Sequence, residues 1–144
     1  MSSNDICIFC EAQNNPLADE ENFVLHRATH NFIILNLYPY ISGHTMIAPY
    51  SHLSEFDAAA KEITDEMMDL AKRCQRALRE VYQPQGFNFG MNLGRAAGAG
   101  VADHFHMHIM PRWNGDTNFM STVGETRVLP EDLPTTYRKL KPLF

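Results

Sequence analysis

The chain has no apolar run approaching the roughly 20 residues that a membrane span requires. Its first ten residues, MSSNDICIFC, have neither the basic start nor the apolar stretch of a secretory signal. A cytoplasmic protein with no membrane partner is the expectation. There is no excess of basic charge either. The formal net charge is −5, which removes the broad electrostatic attraction that drives binding to nucleic-acid polymers; an anionic ligand would have to be held by a local site. Cysteine is scarce, with Cys7, Cys10 and Cys74 making an odd count that argues against a disulfide framework. Repeats and low-complexity tracts are absent. What is present is ordinary: 144 residues, 44% hydrophobic and 20% charged, composing one globular domain over residues 1–144.

Periodicity places the elements. Phe23 to Arg27 and Phe32 to Leu37 are aromatic and β-branched runs around a short turn, which predicts a hairpin. Asn36 to Gly43 is a Pro/Gly/Tyr loop, and His44 to Ala48 reads as a third strand. A helix is predicted from Asp65 to Tyr82, with Thr64 as N-cap and Met67, Ala71, Cys74, Leu78 and Val81 as its apolar stripe. Cys74 is therefore expected to be a packed core thiol. Pro84 and Gly86 stop the helix, and Phe87 to Met91 is a further short strand. Asn92 to Gly100 is a glycine- and alanine-rich loop. Strands outnumber helices, and the hairpin order predicts an α+β fold with the main helix packed on an antiparallel sheet.

The informative segment is His104 to Met110, in which histidine alternates with apolar residues. A strand's period of two puts His104, His106 and His108 on one face and Phe105, Met107 and Ile109 on the other. Three surface histidines would be a bland outcome for three of the chain's seven. A single metal held by all three meets a geometric obstacle. At about 3.3 Å per residue the outer pair stand roughly 13 Å apart, against metal–nitrogen bonds of about 2.1 Å. Two could share an ion. Separate roles are the remaining reading: neutral imidazole is a nucleophile near pH 7, its neighbour can hydrogen-bond an oxygen held over it, and backbone N–H groups of the Gly94–Gly100 loop can approach an anion. Cys7-Ile8-Phe9-Cys10 reads as a zinc half-site or a redox motif, and spacing does not separate the two.

These residues resemble the histidine-triad (HIT) family. His104 to Met110 matches its H-φ-H-φ-H-φ-φ signature, with φ apolar, at every position. Asn36 to His44 is similar to its nucleotide-binding loop, Gly86 to Gly94 to its central loop, and Cys7-x-x-Cys10 to its N-terminal zinc half. The segment Pro111 to Phe119 looks like the fragile-histidine-triad and dinucleoside-tetraphosphate phosphorylase branch.

The resemblance implies a HIT-like, five-stranded antiparallel sheet with one long helix and a shorter one, in a homodimer. It implies His106 as nucleophile toward a nucleotide's α-phosphate, His108 as hydrogen-bond donor to the non-bridging oxygens and His44 as a supporting histidine. Asn36 would meet the ribose, with an Asx-turn residue as the alternative. Asn92 and Gly100 would lie by the phosphates, Asn92 alternatively being a plain turn residue. Structural zinc would be held by Cys7, Cys10, His52 and His104. The chain departs from several branches in one respect. Ala99-Gly100-Val101-Ala102-Asp103 offers no Gln, Ser or Thr just before the triad, so the second-step acceptor stays open between water (a nucleotidyl hydrolase) and phosphate (a phosphorylase). A phosphoramidase, a zinc-dependent hydrolase and a nucleotide-binding regulatory module are further alternatives.

Overall fold

A computed structural model describes residues 7–100, 103–116 and 130–144. Along the chain run α1 (Ile8–Gln13), β1 (Val24–Arg27), β2 (Asn31–Leu35), β3 (Thr45–Pro49), α2 (Lys61–Tyr82), β4 (Gly86–Gly90), β5 (Met107–Arg112) and α3 (Leu133–Leu140), with single 3-10 turns between some of them. The five strands form one antiparallel sheet in the order β1-β2-β3-β5-β4. The expected α+β architecture is present. The crossover from β3 through α2 lets β5 enter between β3 and β4.

Strand periodicity sorts the side chains onto two faces. Leu25, Ile33, Leu35, Ile47, Met107 and Ile109 point to one face and pack with the α2 stripe of Met67, Leu70, Ala71, Cys74, Ala77 and Leu78. Tyr137 and Leu140 of α3 close that core. The Cys74 thiol is fully buried there, and burial pushes its pKa up to about 12. Val24, Phe32, Ile34, Met46 and Ala48 point the other way and meet Phe9 and Ala12 of α1. A six-residue helix cannot cover five strands, so part of this second face stays open over β3, β5 and β4.

Several boundaries differ from the sequence reading. The long helix starts at Lys61, four residues before the predicted start, and its N-cap is Ala60 with no side-chain bond. Thr64 lies inside the first turn, where its hydroxyl donates back to the Lys61 carbonyl. The cap signal loses because the turn docks elsewhere. Asn31 Nδ2 donates to the Ile63 carbonyl, and the Glu66 carboxylate accepts the N–H groups of His30 and Asn31. The last ladder starts at Met107, not His104. Phe105 N donates to Leu53 O instead, and β3 ends at Pro49, which has no N–H to extend the pairing. Two short helices, α1 and α3, went without predicted bounds. The second carried a legible signal, since Asp132 caps Thr135 N at 2.8 Å with a proline in the first turn.

One glycine is required twice over. Gly43 has φ +85°, and a Cβ there would meet the Tyr82 ring at 2.9 Å and Leu78 at 3.0 Å. Gly43→Ala should destabilise by ~1–3 kcal/mol, lowering Tm by roughly 2–4 °C per kcal/mol. An unchanged melting temperature would show that the loop and Tyr82 can yield.

Candidate functional site

The open part of the second face is a cavity of about 550 Å³ over β3, β5 and the β4 end of the sheet. His106 projects into it from the residue before β5, His108 from β5, and His44 from the residue before β3. Asn36, Asn92 and Gly100, all expected at a nucleotide site, line the same cavity. Val101 and Ala102 of the segment before the triad, and Thr117 to Phe119 of the branch-like segment, lie outside the described residues.

The hydrogen bonds fix the proton positions. His106 is only 5% exposed, and its Nδ1–H donates to the His104 carbonyl at 3.0 Å. A carbonyl only accepts, so neutral His106 carries its lone pair on Nε2, the ring nitrogen at the cavity. Burial lowers its pKa, although the carbonyl bond works in the opposite direction. His44 Nε2 and His108 Nδ1 are 2.8 Å apart, one of them donating. Desolvation first, and neighbouring imidazoles second, hold both pKa values down to about 4. At neutral pH the three rings are uncharged.

That has a measurable consequence for the His44–His108 pair. Unfolded, each imidazole takes a proton near the ordinary value of about 6.5; folded, near 4. Between these values the unfolded state binds more protons, so stability rises with pH and is lost as pH falls through the window. Melting temperature should therefore drop from pH 6.5 toward pH 4, and less in His44→Gln. Equal slopes for the two proteins would refute this assignment.

Asn36 makes the hydrogen bond of an Asx turn, its Oδ1 accepting Tyr38 N at 2.8 Å, and it also faces the cavity, its Nδ2 lying 3.3 Å from His44 Nδ1. Asn92 is exposed at the cavity edge. Gly98 and Gly100 contribute backbone to the same edge, and Gly98 has φ +94°. Among the described residues, no Lys or Arg lines the cavity. An anion there would be met by imidazole and backbone N–H groups.

His104 turns away from this chemistry. It is fully buried, and its Nε2–H donates to the Pro49 carbonyl at 2.7 Å, which leaves Nδ1 unprotonated. That nitrogen lies 3.3 Å from Cys7 Sγ, 3.7 Å from Cys10 Sγ and 3.2 Å from His52 Nδ1. The four donor atoms all lie within 4.8 Å of one another, and the set could hold a metal ion. Cys7 is the N-cap of α1 and Cys10 lies in its first turn. The same helix places Phe9 against both His104 and His106, with ring centroids 5.1 and 4.7 Å apart. Ile8 and Phe9 also line the cavity. The sequence reads C-x-x-C as a zinc half-site or a redox motif; the two residues between the cysteines also line the cavity, and no periodicity in so short a helix announces it.

Comparison with known proteins agrees with this arrangement. The HIT domain family model matches residues 18–115. The AP-4-A phosphorylase of Mycobacterium tuberculosis is 41% identical over 124 residues, which are 86% of this chain; the chain spans 64% of that relative's length. An uncharacterized HIT-like protein of Methanocaldococcus jannaschii is 33% identical over 139 residues, 94% of this chain and 99% of the relative. Among solved structures, a Zn-bound histidine triad family protein from Mycobacterium smegmatis aligns with a TM-score of 0.75 at 28% identity, covering 95% of this chain and 91% of that one. With the family model over most of the chain and an imidazole row where its motif predicts one, the chain belongs to the HIT family.

Proposed function

We propose that the chain cleaves dinucleoside polyphosphates, such as diadenosine tetraphosphate, by nucleotidyl transfer through His106, with water as the final acceptor. One observation carries the reading: the bond from His106 Nδ1–H to the His104 carbonyl, which leaves an unprotonated nitrogen at the cavity. In the first step the Nε2 lone pair forms a bond to the α-phosphorus. The bond from that phosphorus to the bridging oxygen breaks, and its electron pair leaves with the departing nucleotide. His108, beside His106 with ring centroids 4.7 Å apart, donates to a non-bridging oxygen and is held in place by His44. Water then attacks phosphorus and gives up a proton to solvent, the N–P bond breaks with its electron pair returning to His106 Nε2, and AMP is released. Asn36 and Asn92 are assigned to the nucleotide, at the ribose and phosphate ends respectively.

The donor chemistry of Cys7, Cys10, His52 and His104 fits zinc, and the solved M. smegmatis relative named as Zn-bound supports that choice. Held by these four side chains, zinc would supply a cross-link between α1 and the sheet, not a binding position for substrate. Two copies would pair to give the homodimer. The β4 edge, with Phe89 42% exposed, is suited to meeting its own copy. Light scattering should give twice the chain mass; a monomer at micromolar concentration would contradict the pairing.

Inorganic phosphate as acceptor is the second reading. The 41% identical relative is named a phosphorylase, and the Gly98–Gly100 edge offers backbone to a second anion without a side chain that would orient water. The deciding experiment incubates diadenosine tetraphosphate with enzyme, with and without millimolar phosphate, and separates the products. AMP plus ATP at a rate indifferent to phosphate is expected. ADP plus ATP, formed only with phosphate, would replace water by phosphate and leave the first step unaltered.

A further inference from the structure

We propose that Tyr38 and Tyr40 form a second aromatic subsite, which stacks the base of the departing nucleotide. The proposal rests on the reading of the substrate as a dinucleoside polyphosphate.

The cavity has two chemically different sides. Phe9 and Met46 are buried and Ile8 is half-covered beside them, giving one side an apolar cleft next to His106. At the other side stand Tyr38 and Tyr40, 85% and 83% exposed yet still part of the lining. The rings form a row: Phe9 on His106, His106 on His108, His108 on His44, and His44 on Tyr40, the last pair 5.8 Å apart and nearly parallel at 25°. Tyr40 therefore ends the row opposite the apolar cleft. One face of its ring lies on His44, and its exposure leaves the rest of the ring to a ligand.

The loop displays the two rings stiffly. Asn36 N donates to the His44 carbonyl and closes the loop, Asn36 Oδ1 holds Tyr38 N, and Pro39 sits between the tyrosines. Ser42 Oγ accepts the N–H of Glu131, and Gly43 is wedged against Tyr82 and Leu78. Aromatic side chains on a pre-ordered loop bind a flat partner at little further entropic cost.

Chemistry selects the partner. An in-line displacement puts the leaving oxygen on the side of phosphorus away from His106, toward the cavity mouth where the tyrosines stand. Among the described residues no Lys or Arg lines the cavity, so the phosphates of the departing nucleotide meet imidazole and backbone N–H groups but no paired cation. Its base is a further handle, and stacking on tyrosine accepts any base with a π face.

The test compares diadenosine tetraphosphate with adenosine 5′-tetraphosphate, which has the same phosphate chain and one base. Wild-type enzyme should favour the dinucleoside in kcat/KM by about tenfold or more, the range of a single stacked base. Tyr38→Ala and Tyr40→Ala should move that ratio toward one, and Tyr38→Phe and Tyr40→Phe should restore it. Using the ratio cancels damage common to both substrates. Equal use of the two substrates by wild type, or a ratio unmoved in both alanine variants, overturns the subsite. Calorimetric Kd values for both compounds on His106→Ala give the same ratio without turnover. A dinucleoside preference in binding, with neither compound cleaved by wild type, would refute the reaction and leave the subsite standing.

Discussion

His106→Ala should lose activity on diadenosine tetraphosphate by several orders of magnitude while binding the dinucleotide with a Kd within a few-fold of wild type. The substitution deletes the atom that forms the covalent bond, so the loss falls on kcat. It does not delete the walls. Phe9 and Met46 are held by their own packing in the α1-side cluster, and His44 and His108 hold each other. His108→Gln is the informative partner variant. Its amide cannot reach the position where the ring, held by His44 at 2.8 Å, presents its donor to the phosphate oxygens, so it should lose roughly 10²–10³ in kcat, the scale of one transition-state hydrogen-bond donor. The intermediate makes a sharper check than the rate. Wild-type protein quenched in acid-free conditions should carry one added nucleotidyl mass per chain, absent in His106→Ala. His106→Ala retaining more than a few per cent of wild-type kcat would exclude the covalent step.

How much of this was legible beforehand varies with the kind of signal. The imidazole row was readable because strand alternation is strict: Phe105, Met107 and Ile109 are all in the α2-side core, while His106 and His108 face the cavity. The different role of His104 was only partly readable. The roughly 13 Å span argued against one shared ion, but the deciding fact is that Pro49 O takes the His104 Nε2–H, a contact between residues 55 apart in sequence. The tautomer of His106 likewise depends on a backbone carbonyl, which no side-chain pattern encodes. The helix start was misread for a related reason. Thr64 is a good cap in isolation, but the Glu66 carboxylate is committed to the β1–β2 turn, and tertiary docking overrides a signal worth about 1 kcal/mol. The aromatic loop was visible as a loop, but sequence gave no reason to place Tyr40 on His44.

Removing the proposed zinc should damage nucleotide binding more than it damages the fold. Cys7 packs against the α1-side cluster and not the α2-side core, so a cooperative unfolding transition should survive in Cys7→Ser or after chelation. Helix α1 is different. Its C-terminal end has its own anchors, since Arg27 donates to the carbonyls of Ala12 and Gln13 at 2.8 and 3.0 Å and pairs with Asp19. Its N-terminal end, with Cys7, Ile8, Phe9 and Cys10, is joined to the sheet through the metal set and the packing of Phe9. Without the cross-link, only thiol–imidazole contacts of 3.3 Å join these groups, and burial together with Cys7 pushes the Cys10 thiol up. Ile8 and Phe9 should then loosen from the cavity wall and from the back of His106. As-purified protein is expected to contain about one zinc per chain. Cys7→Ser should lower Tm by on the order of 10 °C, since a structural metal contributes several kcal/mol. The Kd for a non-hydrolysable dinucleotide should rise about tenfold or more, because the apolar wall is lost. At saturating substrate kcat should fall less than KM rises. Full-strength binding in zinc-free, folded protein would show that α1 needs no metal to hold its place, and protein purified without chelator and lacking zinc would remove the premise.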